Sequence, residues 1–223
     1  MNAAECANIS AVDLVAAWNE LGGAWRRTFE LAWEAHGRGT IPVGAVIAAP
    51  DGEIVAEGRN RIFEGRAPAG ELAGTRLAHA EVNALAHLDL SRRWEDHTLY
   101  TSLEPCVLCV GAALLSTIGG IRYASVDVVG GGFTTRSLSL DRKHGPPVER
   151  EGPLGGPLAL FSESLLAAFF VRNLPESPPF GTLRSQRPQV VKLGTELDRR
   201  GSEDAARADV PLGEFLPRIA DLF

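Results

Sequence analysis

The chain has 223 residues, with 28 acidic and 22 basic side chains, a formal net charge of −6 at pH 7, and three cysteines. This length suits one domain with a sizeable buried core. The sequence contains no run of 18 apolar residues and no basic leader with an apolar core, so we expect neither a membrane span nor a secretory signal. Three cysteines offer no disulfide framework, which favours a reducing cytoplasm.

The first elements in chain order are a helix and a hairpin. Apolar residues recur every three or four positions over residues 14–33, which predicts an amphipathic helix that is bent at residues 22–23. Two strands are predicted at residues 43–48 and 53–58. The Pro-Asp-Gly turn at residues 50–52 lies between them, so these strands form a hairpin.

Helices and strands then alternate. The patterns predict a helix over 77–90, a strand at 97–102, a helix at 106–117 and a strand at 121–125. A further apolar helix is predicted at 162–172. This alternation is typical of a layered α/β sheet.

A proline-rich stretch after residue 174 marks the end of the predicted domain, which spans residues 1–174. Residues 175–223 are interpreted as a C-terminal extension with one short helix near 211–222. The extension is interpreted as a tail, a partner-binding arm or a lid over the functional site. Phe215 and Phe223 are the lid candidates.

Two short motifs carry the chemistry, His79-Ala80-Glu81 and Pro105-Cys-Val-Leu-Cys109. His79, Cys106 and Cys109 are three zinc ligands of the usual types, and three protein ligands leave the fourth tetrahedral position open, as in catalytic sites. If Pro105 starts a helix, both sulfurs lie in its first turn, where the helix dipole favours thiolates. Glu81 lies close enough to act as a proton carrier for water that zinc activates.

Each motif alone has other interpretations. A lone histidine on a helix is usually a packed or solvated side chain, and a Cys-x-x-Cys pair also occurs in redox sites, structural zinc sites and protein cores. The order and conjunction of the two motifs favour a catalytic zinc centre with one Zn²⁺ per chain.

Four stretches of the sequence resemble the cytidine-deaminase-like superfamily, in the branch of nucleobase, nucleoside and tRNA adenosine deaminases. The resemblance implies a three-layer α-β-α fold with a central mixed five-stranded sheet. It also implies zinc ligands at His79, Cys106 and Cys109, a proton shuttle at Glu81, substrate contacts from Asn60 and the Ala80 amide, and a homodimer. The matching stretches are Ile41–Ile47, Glu57–Asn60, Leu77–Leu85 and Thr98–Ala112.

The charge distribution bears on the substrate. Residues 1–175 hold 15 basic and 20 acidic side chains, whereas proteins that bind nucleic acid must attract a polyanion. The lysine usual in tRNA enzymes after the fourth strand is also missing after Asp127. We therefore expect a free nucleobase or nucleoside of the guanine or cytosine type, and nucleic acid is less favoured. The alternative is a tRNA adenosine-to-inosine deaminase acting on the anticodon loop.

A hypothesis of a different class is a non-catalytic partner subunit of a paired editing enzyme. Such subunits typically lose the shuttle glutamate. Glu81 and all three ligands are present here, so the sequence favours an active enzyme.

Overall fold

The computed structural model describes residues 13–136, 140 and 146–223. Its centre is a five-stranded sheet with the strand order β2-β1-β3-β4-β5. Strands β1 (Gly44–Ala48) and β2 (Ile54–Arg59) form the predicted hairpin, and β1 also pairs antiparallel with β3 (Thr98–Leu103). All five residues of β1 are buried, because it lies between two other strands and is covered on both faces.

The other half of the sheet is parallel. Strand β4 (Gly120–Ser125) pairs parallel with β3, and β5 (Glu149–Glu151) pairs parallel with β4 at the edge. The mixed five-stranded sheet implied by the family resemblance is therefore confirmed. Strand β5 was not predicted, because all three of its residues are charged and exposed and it therefore has no apolar pattern.

Among the described residues before 174, five helices accompany the strands. The predicted N-terminal helix is divided at Gly22–Gly23, where the sequence indicated a bend. The helices are α1 (Leu14–Glu20), α2 (Gly23–Gly37), α3 (Ala80–Leu85), α4 (Val107–Leu115) and α5 (Gly156–Asn173).

Helices cover both faces of the sheet. Helix α2 lies directly on β1, where a Cβ added to Gly44 would be 2.3 Å from the Thr28 carbonyl oxygen. On the opposite face α3 lies on β2, where a Cβ at Gly58 would be 2.4 Å from the Ala84 nitrogen. Helix α4 packs beside α3, and α5 packs beside α2. The predicted three-layer arrangement is thus confirmed.

Helix α3 is much shorter than the predicted helix over 77–90. Ala78 cannot belong to it because its carbonyl accepts a hydrogen bond from the Arg61 nitrogen at 2.9 Å. His79 follows in an extended conformation and caps the helix, which ends at Leu85. Residues after Leu85 form turns up to β3.

The expectation of one short helix in the C-terminal segment is wrong. Pro178 and Pro188 begin helices rather than preventing them, since proline suits the first helical turn. Val190 and Leu197 are buried, and Gly194 brings its helix against α5. The helices are α6 (Pro178–Gln186), α7 (Pro188–Arg199), α8 (Ser202–Arg207) and α9 (Leu212–Phe215), followed by 3₁₀ turns at Leu216–Arg218 and Ala220–Leu222.

The two aromatic lid candidates belong to a packed cluster. Phe215 is 1% exposed, and its ring centroid lies 4.8 Å from that of Trp33 in α2. Phe223 contacts Phe161 of α5 edge to face at 6.0 Å. The division of the chain into a domain at 1–174 and an extension with a lid or arm function stays a prediction. Within the described residues, none of the helices combines the length and apolar character needed to span a bilayer.

Candidate metal centre

The N-termini of two helices bring the predicted metal ligands together. His79 caps α3 and Cys106 caps α4, both with extended backbone dihedrals, and Cys109 lies in the first turn of α4. Helices α3 and α4 pack side by side in the core that lies on one face of the sheet. All three predicted ligands therefore meet at one point, and neither helix needs a long side chain to reach it.

The distances between ligand atoms fit a tetrahedral zinc ion. His79 Nδ1 lies 3.6 Å from Cys106 Sγ and 3.4 Å from Cys109 Sγ, and the two sulfurs are 3.6 Å apart. Zinc bonds of ordinary length in a tetrahedron place two sulfurs about 3.8 Å apart and a sulfur about 3.6 Å from a nitrogen. The residues present thus fit zinc. Within the described part of the chain they form the single group of this kind.

The electrostatics of the centre favour a thiolate. The Cys109 thiol donates a hydrogen bond that lowers the pKa of Cys106 to about 4, and His79 adds to this effect. The pKa of Cys109 is raised in turn, by its hydrogen bond to Cys106 and by burial. One proton is therefore shared between the two sulfurs, and metal binding would displace it.

Glu81 is buried beside the ligands. It is 4% exposed, its Oε1 lies 3.3 Å from the Thr101 hydroxyl, and its carboxyl group also hydrogen-bonds the Cys109 side chain. Burial raises the pKa of Glu81, against an opposing effect of His79. A buried carboxyl group with a raised pKa holds a proton more readily than an exposed one, which suits a proton carrier.

The two predicted substrate contacts, Asn60 and Ala80, are both buried. Asn60 follows β2 and is 3% exposed, and its Oδ1 accepts hydrogen bonds from Thr40 Oγ1 at 2.8 Å and the Ile62 nitrogen at 3.1 Å. No described residue accepts a bond from its Nδ2, which is left as a donor. Ala80 is fully buried in the first turn of α3, where backbone N–H groups have no partner within the helix.

Sequence reasoning missed Glu104, which holds the loop after β4 against the ligand turn. Its Oε1 accepts from the Phe133 nitrogen at 2.7 Å and the Thr134 nitrogen at 2.6 Å, and its Oε2 accepts from the Asp127 nitrogen and the Thr134 hydroxyl. Gly131 has no room for a side chain there, because a Cβ would lie 2.5 Å from Glu104 Cδ. The available signal was an acidic residue directly before Pro105 at the end of an apolar strand.

Asn83 is a second missed residue. Its amide donates to the carbonyls of Arg59 and Leu72 at 3.1 and 3.2 Å, and its Oδ1 accepts from the Leu72 nitrogen at 2.8 Å. These bonds attach the loop between β2 and α3 to both elements. A polar residue on the otherwise apolar side of a helix was the signal that could have found it.

The fold and the candidate metal centre together define the class of protein: an α/β protein in which a histidine and two cysteines are positioned to hold zinc beside a carboxyl group. A family model described as the cytidine and deoxycytidylate deaminase zinc-binding region matches residues 22–125. That span contains all three ligands and Glu81.

Two curated relatives illustrate the likeness. A tRNA(Ile)-lysidine synthase from Deinococcus radiodurans is 40% identical over 110 residues, which are 48% of this chain and 18% of that protein. A tRNA-specific adenosine deaminase from Aquifex aeolicus is 35% identical over 49% of this chain and 69% of its own length. The chain belongs to the cytidine-deaminase-like superfamily, in the branch that includes the tRNA adenosine deaminases.

Solved structures include two neighbours of different function. One comes from a study of A-to-I editing by tRNA:A34 deaminases, with 25% identity, a TM-score of 0.47 and coverage of 57% of this chain and 96% of that chain. The other is a guanine deaminase from Nitrosomonas europaea, with 24% identity, a TM-score of 0.49 and coverage of 71% and 92%. The chain spans less than two thirds of the length of several curated relatives that it matches.

Proposed function

We propose that this protein is a zinc-dependent hydrolytic deaminase. It would replace an amino group on a purine or pyrimidine ring with the oxygen of a water molecule and release ammonia. The observation that carries the proposal is the buried Glu81 carboxyl group next to three side chains with zinc-ligand spacing. A redox pair would not need His79 against both sulfurs, and a structural zinc site would need a fourth protein ligand, which the described residues do not supply.

Zinc bound at this centre supplies Lewis-acid activation of water at neutral pH. Glu81 accepts a proton from water at a carboxylate oxygen and donates it to the ring nitrogen. It then accepts a second proton, from the hydroxyl group added to the ring carbon, and donates that proton to the amino group, which leaves as ammonia while the ring carbonyl forms. The Thr101 hydroxyl lies 3.3 Å from Glu81 Oε1 and 3.0 Å from the Leu103 carbonyl oxygen, so it can donate to either and is a polar neighbour of the carboxyl group. The roles of the metal ligands and of Glu81 as a shuttle are part of this proposal.

Asn60 and Ala80 would orient the base. The Oδ1 of Asn60 is occupied by Thr40 and Ile62, which fixes the amide plane and presents Nδ2 as a donor. The Ala80 N–H at the start of α3 is a second donor with no acceptor in its helix. Two fixed donors beside a metal centre suit the oxygen and nitrogen acceptors on the edge of a base.

For the substrate, we propose an adenosine in a single-stranded RNA loop, with inosine as the product. The names of the two relatives described above, at 40% and 35% identity, both refer to tRNA, and this supports the second of the two expectations from the sequence. The first expectation, a free nucleobase or nucleoside, rested on net charge and on the missing lysine after Asp127. Net charge averages over the whole surface, so a local basic region can still bind RNA. Near the site, exposed Arg66 and Arg76 form no ion pair with any described residue.

A free guanine- or cytosine-type base remains the second candidate. The observation that favours it is the excess of 20 acidic over 15 basic residues in residues 1–175, which opposes binding of a polyanion. The two candidates share the metal centre and Glu81, so they differ in substrate and not in chemistry.

The deciding experiment measures ammonia release by the zinc-loaded protein. The panel holds adenine, guanine and cytosine, their nucleosides, and an anticodon stem-loop RNA, with Glu81→Ala as the blank. Turnover of the RNA alone is the expected result. Turnover of small substrates alone would replace the proposed substrate with the second candidate, and no turnover above the blank would reject the deaminase proposal.

We also propose that two copies of the chain associate through the outer face of α4. This helix contains no charged residue, yet Val107, Leu108 and Leu115 are 49%, 39% and 88% exposed. An uncharged apolar face suits contact with its own copy. Sedimentation of the wild type should show a dimer, and Leu115→Glu should give a monomer; a monomeric wild type would contradict this.

The location that we propose for the protein is the cytoplasm. Cys106 and Cys109 must remain reduced to bind a metal, and their sulfurs are close enough to oxidise to a disulfide. A reducing compartment prevents this reaction.

A further inference from the structure

Phe63 is an aromatic residue with one covered ring face in the loop between β2 and α3. Its side chain is 52% exposed, although it stacks on Phe169 of α5 with ring centroids 6.0 Å apart and planes 27° apart. Phe169 is fully buried. The contact covers one side of the Phe63 ring and leaves the rest in solvent, where a second planar group can stack.

A row of aromatic rings fixes the position of Phe63. Behind it, Phe169 contacts Phe170 edge to face at 5.6 Å, and Phe170 stacks on Phe180 of α6 at 6.0 Å. The Arg184 guanidinium lies 5.6 Å from the Phe180 ring centroid on the far side. The C-terminal helices therefore support the ring from behind, so little conformational entropy is lost when a ligand stacks on it.

Hydrogen bonds place Phe63 next to the proposed base-binding residue. The Phe63 nitrogen donates to Thr40 Oγ1 at 3.4 Å, and Thr40 Oγ1 donates to Asn60 Oδ1 at 2.8 Å. In the same loop the Arg61 nitrogen donates to the carbonyl of Ala78, the residue before His79. The ring thus belongs to a loop that is hydrogen-bonded both to Asn60 and to the residue before His79.

The charges of this loop complement phosphate. Its two acids are neutralised, because Glu64 pairs with Arg59 and Arg61, and Glu71 pairs with Arg61. These four side chains are 9–15% exposed. Arg66 and Arg76 are exposed, and neither forms an ion pair within the described residues, so the solvent side of the loop is positively charged.

We propose that Phe63 is a specificity-determining residue that stacks on a nucleotide next to the deaminated one in single-stranded RNA. Any base offers a π-face to an aromatic platform, and neighbouring arginines hold the connecting phosphates. The inference rests on the proposed function. It adds that the protein also binds a flanking base. The binding surface is Phe63, whose position depends on the aromatic row and so on α6.

The experiment measures KM and kcat of zinc-loaded wild type, Phe63→Ala and Phe63→Trp on the anticodon stem-loop RNA. Leu90→Ala is the matched control, because Leu90 is a fully exposed apolar side chain outside this loop. We expect Phe63→Ala to raise KM about tenfold with kcat changed by less than about twofold, as for the loss of one stacked base. Phe63→Trp should restore KM, and the control should match the wild type.

An unchanged KM for Phe63→Ala on the RNA would overturn the inference while leaving the proposed function intact. A lowered kcat with an unchanged KM, and no rescue by tryptophan, would also overturn it and indicate a structural role. If the proposed function is wrong, the wild type itself will not turn over the RNA. That result would also overturn the inference, since no RNA substrate would then supply a flanking base.

Discussion

At the metal centre, His79, Cys106 and Cys109 meet through short polar side chains from two helix N-termini. The helices after residue 177 are held mainly by apolar side chains and close glycine contacts against α2 and α5, with ion pairs such as Arg172–Asp204 and Arg187–Glu163 beside them. The first region depends on the identity of a few atoms, and the second on shape and volume. Substitutions at the metal centre should therefore change zinc binding and activity, whereas substitutions in the C-terminal helices should change the free energy of unfolding.

The largest expected effect is at a metal ligand. Cys106→Ser replaces a thiolate with a hydroxyl group that binds zinc poorly, so we expect the zinc content to fall from about one per chain to near zero and activity to be lost. Elemental analysis of the purified protein measures this change. The C-terminal helices should keep their packing, since none of them contacts the ligands. A variant with full zinc content would show that Cys106 is not a ligand.

The complementary change is Gly194→Ala in α7. The added Cβ would lie 2.5 Å from the Ala167 Cβ and 2.7 Å from the Ala168 nitrogen. We expect the free energy of unfolding to drop by about 1–3 kcal/mol, as for other overpacked cores. Denaturant unfolding provides the measurement, and zinc content should stay unchanged.

Gly181→Ala in α6 is the matched control for Gly194→Ala. Both glycines lie in helices, but a Cβ at Gly181 would meet no atom within 4 Å. Alanine should stabilise that helix by about 0.5–1 kcal/mol. If both variants were destabilised alike, close contact between α7 and α5 would not be the cause.

A smaller effect is expected on the pH dependence of stability. His36 of α2 is 1% exposed, its Nε2 lies 3.0 Å from the Ser202 hydroxyl of α8, and burial lowers its pKa to about 4. Below its ordinary pKa of 6.5 the unfolded chain takes up a proton that folded His36 does not bind. Stability should therefore be highest above pH 6.5 and fall as the pH drops towards 4.

The free energy of unfolding should fall by about 3 kcal/mol at most as His36 titrates. Unfolding curves of the wild type and His36→Asn between pH 7 and pH 4.5 measure it, because asparagine does not titrate. The two proteins should differ in their pH dependence over that range. Parallel curves would mean that His36 is not held neutral by its burial.

The metal centre could be predicted from the sequence because the chemistry fixes residue types at set spacings. His79-Ala80-Glu81 and the Cys106–Cys109 pair are local motifs, and each caps or opens a helix by itself. The hairpin and the alternating strands could also be predicted from the sequence, since their patterns are local too. The exact extent of α3 could not be predicted, because the Arg61–Ala78 hydrogen bond that limits it joins residues 17 positions apart in the chain.

The C-terminal helices were missed for a related reason. Their prolines at residues 178 and 188 look like helix breakers in isolation, whereas the first turn of a helix accepts them. Their apolar faces are recognisable only against α5, whose own surface is buried on nearly every side. Glu104 and Asn83 were missed because their partners are backbone groups of loops, which leave no pattern in the sequence.

The most direct test of the account uses Glu81→Gln, which keeps the size of the side chain and removes its ability to carry a proton. Zinc content and inosine formation in the stem-loop RNA are measured on the same samples of variant and wild type. We predict equal zinc content and a rate lower by a factor of about 10² or more in the variant. A variant that binds zinc and forms inosine at the wild-type rate would contradict the central claim that the buried carboxylate beside the metal ligands drives a hydrolytic deamination.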